Sequence, residues 1–170
     1  MITLTPVDLH SERDEVVGFL SSQQWPYHAT SNLDARDIAA MSFALPETAS
    51  FWVLDDGARV GLIRLQDLAD IEDGSPVVDL RLASDVRGRG VGRLALGLLC
   101  DLSFTRWPEL RRIEGTTRDD NAAMQRVFEV CGFQREGCLR ETWPTQEGRW
   151  RDTLVYGLLR RERSSLTKPR

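Results

Sequence analysis

Residues 87–92 read Arg87-Gly88-Arg89-Gly90-Val91-Gly92, set between an apolar run, Val77-Val78-Asp79-Leu80-Arg81-Leu82, and a helical pattern of Leu94, Ala95, Leu98, Leu99 and Leu102. Strand, glycine loop and helix in that order make an anion site. Glycines let the backbone pass close to a bulky ligand, and successive amides at a helix N-terminus point at negative charge. Arg87, Arg89 and Arg93 add full positive charge to the same spot. A diphosphate is the expected guest, and spacing narrows its carrier. A dinucleotide fingerprint would put its third glycine at position 93, which is Arg93, and the chain has no Gly-Lys-Ser/Thr ending of a P-loop.

On the N-terminal side, Arg59 to Leu65 reads as a strand paired with Ser50-Phe51-Trp52-Val53-Leu54 through the tight turn Asp55-Asp56-Gly57-Ala58. Asp67, Asp70, Glu72 and Asp73 form an acidic connection closed by Pro76. Further back, Ile2 to Thr5 alternates as a first strand ended by Pro6, and Glu12 to Leu20 is a modest helix. The aromatic stretch Trp25-Pro26-Tyr27-His28 is a loop because of its proline. Asp34 reads as the N-cap of a second helix, with Ile38, Met41 and Leu45 on one face and a stop near Pro46.

On the C-terminal side, Trp107-Pro108 breaks the helix and Arg112 to Thr117 is a strand. Asn121 opens a helix whose apolar face is Met124, Val127, Phe128 and Cys131, and Gly132 supplies its C′ stop. Gln134 to Trp143 and Trp150 to Leu159 are two final strands joined around Pro144 and Gly148, and the polar tail from Arg160 is expected to fray. Without repeat or linker, the expectation is one mixed α/β (α+β) domain over residues 1–160, with a polar C-terminal tail at 161–170.

Composition narrows the class. With 170 residues, 41% hydrophobic content and 28% charge, the chain reads as an ordinary globular protein. A net charge of −4 argues against a nucleic-acid partner, which would need a net basic face. Cys100, Cys131 and Cys138 lack CxxC spacing and there are only two histidines, so neither a disulfide framework nor a metal site is expected. Met1 to Pro6 lacks the pattern of a secretory leader, and no apolar run approaches a membrane span. A reduced, cytoplasmic protein with no membrane partner, monomeric or homodimeric, is the expectation.

Val86 to Gly92 after a strand resembles the acetyl-CoA-binding motif of the GNAT acetyltransferase superfamily, written R/Q-x-x-G-x-G/A, with Arg87, Gly90 and Gly92 filling it. The helix from Asn121 through Met124 to Phe128-Glu129-Val130-Cys131-Gly132-Phe133 resembles the family's N…GF helix. Gln134 to Arg140, and Trp150-Arg151-Asp152 leading into Leu154 to Leu159, are similar to the branch containing ribosomal-protein N-terminal acetyltransferases. The resemblance covers roughly residues 50 to 160. It implies a central mixed, mostly antiparallel sheet of about six to seven strands, flanked by about four helices and splayed at the coenzyme site.

By that resemblance, backbone amides of Arg87, Gly88, Arg89, Gly90, Val91 and Gly92 hold the pyrophosphate of acetyl-CoA, and coenzyme A is the product. The strand around Leu82 pairs with the pantetheine arm in a sheet opened between residues 77–82 and 112–117, and Asn121 bonds that arm. Phe128 counts with this coenzyme-binding set, at a position where many members place a tyrosine that protonates the thiolate. Since Phe128 has no proton to give, water, Tyr27 or Tyr156 would supply it.

The acceptor is a small-molecule or peptide amine that must give up a proton. Glu141 is the first candidate base, with Asp79 and Glu114 after it. Trp25, Tyr27, His28 and Trp143 are expected to recognise the acceptor. The acidic run Asp67 to Asp73 would suit an aminoglycoside or polyamine, or simply face solvent. Cys131 and Cys138 leave a covalent route open beside direct transfer. The departures at Phe128 and Met124 leave a non-catalytic acyl-CoA-binding module as a further alternative.

Overall fold

The computed structural model describes residues 1–166 other than 9, 29, 41–46, 70 and 73. Strands β2 (Ala49–Asp55) and β3 (Ala58–Gln66) form a hairpin. Its turn places both Asp56 (φ 48°) and Gly57 (φ 86°) in the left-handed region, the type I′ geometry that matches strand twist. Both faces of the hairpin are apolar. Phe51, Val53, Ile63 and Leu65 enter the larger core with helix α3 (Val91–Arg106), whereas Trp52 and Leu62 enter a smaller one. That smaller core holds Val16 and Leu20 of helix α1 (Arg13–Ser21), Ile38 of helix α2 (Ala35–Ala40), and Trp25 between the helices. Strand β1 (Ile2–Pro6) closes one edge against β2.

Strand β4 (Val77–Leu82) pairs with β3 along its whole length, from Gln66↔Val77 to Gly61↔Leu82. Its other neighbour, β5 (Arg112–Arg118), is parallel and touches it only at Val77↔Glu114 and Val78↔Gly115. Beyond Val78 the two strands part, so among the described residues β4 from Asp79 to Leu82 has no strand on that side. This is the opening the sequence implied. Strands β7 (Trp150–Leu159) and β6 (Gln134–Pro144) complete a seven-stranded sheet in the order β1-β2-β3-β4-β5-β7-β6. Helix α4 (Ala122–Val130) ends with Gly132 at φ 91°; Gly132 and Phe133 donate to Glu129 and Phe128 carbonyls, closing a Schellman motif.

The structure redraws two expectations. On α3 the inward line is Ala95, Leu96, Leu99, Cys100 and Phe104, while Leu94, Leu98 and Leu102 stay 45%, 39% and 38% exposed. Of the helical pattern in the sequence, Ala95 and Leu99 enter the core, because the helix meets the sheet along the arc centred on Leu96 and Leu99. Residues Arg160–Leu166 form helix α5 instead of fraying. Arg160 donates to the carbonyls of Phe104, Trp107 and Leu110, and Arg163 pairs with Asp101. A 3-10 turn at Ser84–Val86 also joins β4 to the glycine loop. Met41, Leu45 and the stop at Pro46, and Asp70 and Asp73 of the acidic run, lie outside the described residues. No described helix is long and apolar enough to cross a membrane.

Candidate active site

At one end of the opening lies the glycine loop. Gly88 (φ 76°) and Gly90 (φ 84°) take left-handed conformations that strain any residue with a Cβ. Gly90 is the N-cap of α3, and no side chain caps that terminus. The first amides of a sixteen-residue helix are therefore left for a ligand, and the helix dipole favours an anion. Leu82, Arg87, Gly88, Gly90, Gly92 and Arg93 line a cavity of about 430 Å³ here, closed by Met124 and Val127 of α4. Arg89 does not border it, and the Val91 side chain is buried in the core, so Val91 has only backbone to offer. Arg87 turns away from the loop: its Nε donates to Leu82 O (2.9 Å) and Nη2 to Gln24 O (2.8 Å). These groups fit the phosphates of a coenzyme, and the bare edge of β4 beside them fits an extended amide arm.

The other end holds the carboxylates. A second cavity of about 440 Å³ runs from the opening toward α2, lined among others by Leu33, Asp37, Arg64, Asp79, Thr117 and Trp143. It shares Tyr27, His28, Leu80, Arg81, Asn121 and Met124 with the first. Those six residues mark the junction. Alternation along β4 sends Leu80 and Leu82 to the α3 side, and Asp79 and Arg81 to the α1–α2 side, where Arg64 stands opposite Asp79 across the β3–β4 ladder. Asp79 Oδ2 accepts from Arg64 Nη2 (2.5 Å) and Arg81 Nε (3.2 Å), and Oδ1 lies 3.2 Å from His28 Nε2. Burial alone would raise the Asp79 carboxyl, but the hydrogen bond with His28 and the two guanidinium charges hold it well below the usual carboxylate range. Asp79 is therefore an acceptor only. The His28 tautomer that fits it carries its proton on Nε2 and presents a lone pair on Nδ1.

Several expected residues stand elsewhere. Glu141 sits in a bulge of β6 between Leu139 and Trp143, at φ 53°; its N–H donates to Asp152 Oδ1 (2.9 Å), and its exposed side chain borders neither cavity. Glu114 lies where β4 and β5 are still paired, and its carboxylate meets Arg112 (3.2 Å). Phe128 is fully buried between Phe133 and Tyr156, and a Cβ on Gly115 would lie 2.3 Å from its ring, so it cannot touch a ligand in the cleft. Tyr156, 1% exposed in the same stack, cannot deliver a proton there. Trp25 is 1% exposed and hydrogen-bonded to Leu20 O (2.9 Å), a wall more than a contact. Asn121 caps α4 by accepting from Met124 N (3.2 Å), donates to Thr117 Oγ1 (3.1 Å), and borders both cavities. Asp67 and Glu72 are exposed and border neither.

Sequence reasoning missed Arg64, Arg81 and Arg118. The alternation of β4 already placed Arg81 beside Asp79, but Arg64 arrives through a pairing across the 67–76 connection that no local pattern sets. Arg118 ends β5, where its Nη1 donates to Pro26 O (3.1 Å) and its guanidinium lies 5.1 Å over the Tyr27 ring.

Anion-binding amides at one end and a proton acceptor at the other suit a transferase that draws on a phosphate-bearing donor. Over residues 2–134 the chain matches the acetyltransferase (GNAT) domain, and it belongs to that family. It is 30% identical over 96 residues to an uncharacterized N-acetyltransferase, p20, from Bacillus licheniformis, a match spanning 56% of this chain and about half (53%) of that relative. In fold it is similar to a spermidine N-acetyltransferase from Vibrio cholerae in complex with CoA and spermine (TM-score 0.81, 21% identity, 96% of this chain and 98% of that one). It is also similar to Mycobacterium smegmatis RimJ in complex with CoA-disulfide (TM-score 0.75, 22% identity, 98% of this chain and 84% of that one).

Proposed function

We propose that the protein is an acetyl-CoA-dependent N-acetyltransferase that moves an acetyl group directly to a primary amine, a peptide N-terminus or a small amine. The observation that carries this reading is the junction, where a cavity with an anion-binding end meets a cavity with a histidine–carboxylate pair. The loop from Arg87 to Gly92 and the first turn of α3 would hold the pyrophosphate, Leu82 and the β4 edge the pantetheine arm, with Asn121 across from it. The thioester supplies an activated acetyl carbonyl.

The chain's own task is the proton. An α-amine, with an ordinary pKa of about 7.7–8.0, offers far more of its neutral form than a lysine at about 10.4, which favours a peptide N-terminus over a lysine side chain. His28 Nδ1 takes the surplus proton, and ionised Asp79 steadies the cation that results, as a buried carboxylate does behind any histidine base. Tyr27, which borders the junction and is 38% exposed, would supply a proton to the departing thiolate. Direct transfer is supported by the cysteines. Burial pushes the Cys100 and Cys131 thiols up, and Cys138 borders neither cavity.

The second reading, a polyamine acceptor, takes its support from the spermine-bound Vibrio cholerae structure. The ribosomal-protein branch rests on the strand motifs at 134–140 and 150–159. A panel of peptides, polyamines and aminoglycosides incubated with acetyl-CoA, with free thiol followed, tests all of these. Turnover on at least one primary amine is expected, and His28→Gln should lower kcat about 10²-fold or more with coenzyme affinity kept. Tight coenzyme binding with no turnover on any amine would leave only the binding module. Full activity in His28→Gln would remove the base.

A further inference from the structure

Arg81 is an arginine taken out of water with most of its donors unused. Its side chain is 9% exposed, and Nε to Asp79 Oδ2 is its one hydrogen bond among the described residues. Nη1 is buried with no hydrogen-bond partner among the described residues. A guanidinium carries five N–H donors in a planar fork, and buried donors normally find acceptors. Asp79 does not absorb the charge, because its carboxylate is shared between Arg81 and Arg64, and His28 faces its other oxygen. The second carboxylate of this cavity, Asp37, accepts from Asp34 N–H (3.1 Å). Burial pulls the Arg81 guanidinium below its usual range, as it would for a cation lacking full compensation.

A second donor points the same way. Trp143 lines the same cavity from β6, and its indole Nε1 is also buried without a partner. Indole N–H can only donate. Two residues that line this cavity, Arg81 and Trp143, thus each hold a buried donor still lacking an oxygen acceptor. Because Arg81 belongs to both cavities, whatever brings an amine to the junction lies within its field.

Resting on the acetyltransferase reading, we propose that the acceptor is a primary amine carrying a carboxylate a few bonds from its nitrogen, and that Arg81, with Trp143, binds that carboxylate. A planar fork matches a carboxylate in two parallel hydrogen bonds, whereas a polycation brings donors to donors and positive charge to positive charge. The site selects against polyamines by the same groups that select for an acid.

The test is a set of matched acceptors followed by thiol release from acetyl-CoA: γ-aminobutyrate against its amide, short peptides with glutamate or glutamine as second residue, and spermidine. In at least one pair the carboxylate member should lead by about tenfold or more in kcat/KM, a modest return for a charge-assisted bidentate contact. Arg81→Gln should erase that preference while titration with coenzyme A gives a dissociation constant within about threefold of the parent. Arg81→Lys, keeping charge but losing the fork, should fall between. The matched pairs are decisive on the parent protein even where a variant folds poorly. Equal rates within every pair, spermidine as the best acceptor, or a preference that survives in a folded Arg81→Gln would overturn the proposal while leaving the acetyltransferase reading intact. No turnover on any amine, with coenzyme bound, would bring both down.

Discussion

Asp79 holds more of this site together than any other side chain. It sits on a strand interior, 14% exposed, with two arginines and a histidine around it. Removing its charge leaves Arg64 and Arg81 confronting each other in a low-dielectric wall, and breaking a buried pair of this kind costs about 3–5 kcal/mol. Asp79→Asn should therefore lower the urea midpoint at pH 7. The pH dependence has a definite sign. The native carboxyl lies below its unfolded value of about 4, so the stability is fully present above that pH and is lost as pH falls through the native value. The gap between parent and variant should be widest at neutral pH and shrink in acid; a constant gap would mean that the loss comes from packing alone. Asp79 stood among the candidate bases in the sequence because an acid on a strand beside an anion loop is visible locally. That it cannot act as a free base follows from Arg64, which pairs with it across fifteen residues of chain.

Among the elements, the glycine loop and α3 were the most legible, because their signals are local: glycines where φ is positive, then a helix with no side-chain cap. Adding a methyl at Gly90 meets open space, so the cost of Gly90→Ala is conformational, about 1–2 kcal/mol for a left-handed L-residue. The chain can relieve that strain only by rotating the peptide units that should face the pyrophosphate. Coenzyme A titrations should show roughly tenfold weaker binding, since each 1.4 kcal/mol is a factor of ten, with the acceptor preferences unchanged. Unaltered affinity would take the loop out of the site. Elements that depend on their neighbours were harder to read. The periodicity of α4 put Phe128 on its apolar face but could not say whether that face met ligand or core; Gly115, a strand glycine lying against the ring, settles it for the core. Glu141 was misplaced because β6 bulges there without a glycine to announce it: Leu139 to Trp143 takes four steps against two on β7, and the left-handed Glu141 within it leaves the alternation of the strand.

In the whole molecule the sheet separates two cores, and the loop at residues 22–28 and 30–32 belongs to the smaller one while spanning the opening between β4 and β5. It is tied from both lips. On the β4 side Arg87 donates to Gln24 O and Ser84 N–H donates to Gln23 Oε1 (3.1 Å); on the β5 side Arg118 donates to Pro26 O and covers the Tyr27 ring. The tip of the β6–β7 hairpin adds a bond from Gln146 to Ser31. No sequence pattern joins residues so far apart, yet these contacts decide where His28 and Tyr27 stand. They also make the loop depend on Arg87, which belongs to the coenzyme motif. Arg118→Gln removes one hydrogen bond and one cation–π contact to the loop, together about 1–2.5 kcal/mol, and that loss falls on the loop because, among the described residues, Arg118 otherwise pairs with Asp120 beside it in sequence. Hydrogen exchange should quicken at the amides of Trp25 and His28, which close the loop's own turns, and stay unchanged in β2 and β3. Catalysis should follow the loop: kcat/KM for the amine falls about tenfold while the coenzyme dissociation constant moves less than threefold. Faster exchange throughout the sheet, with coenzyme affinity falling in step, would show that Arg118 supports the fold and not this loop.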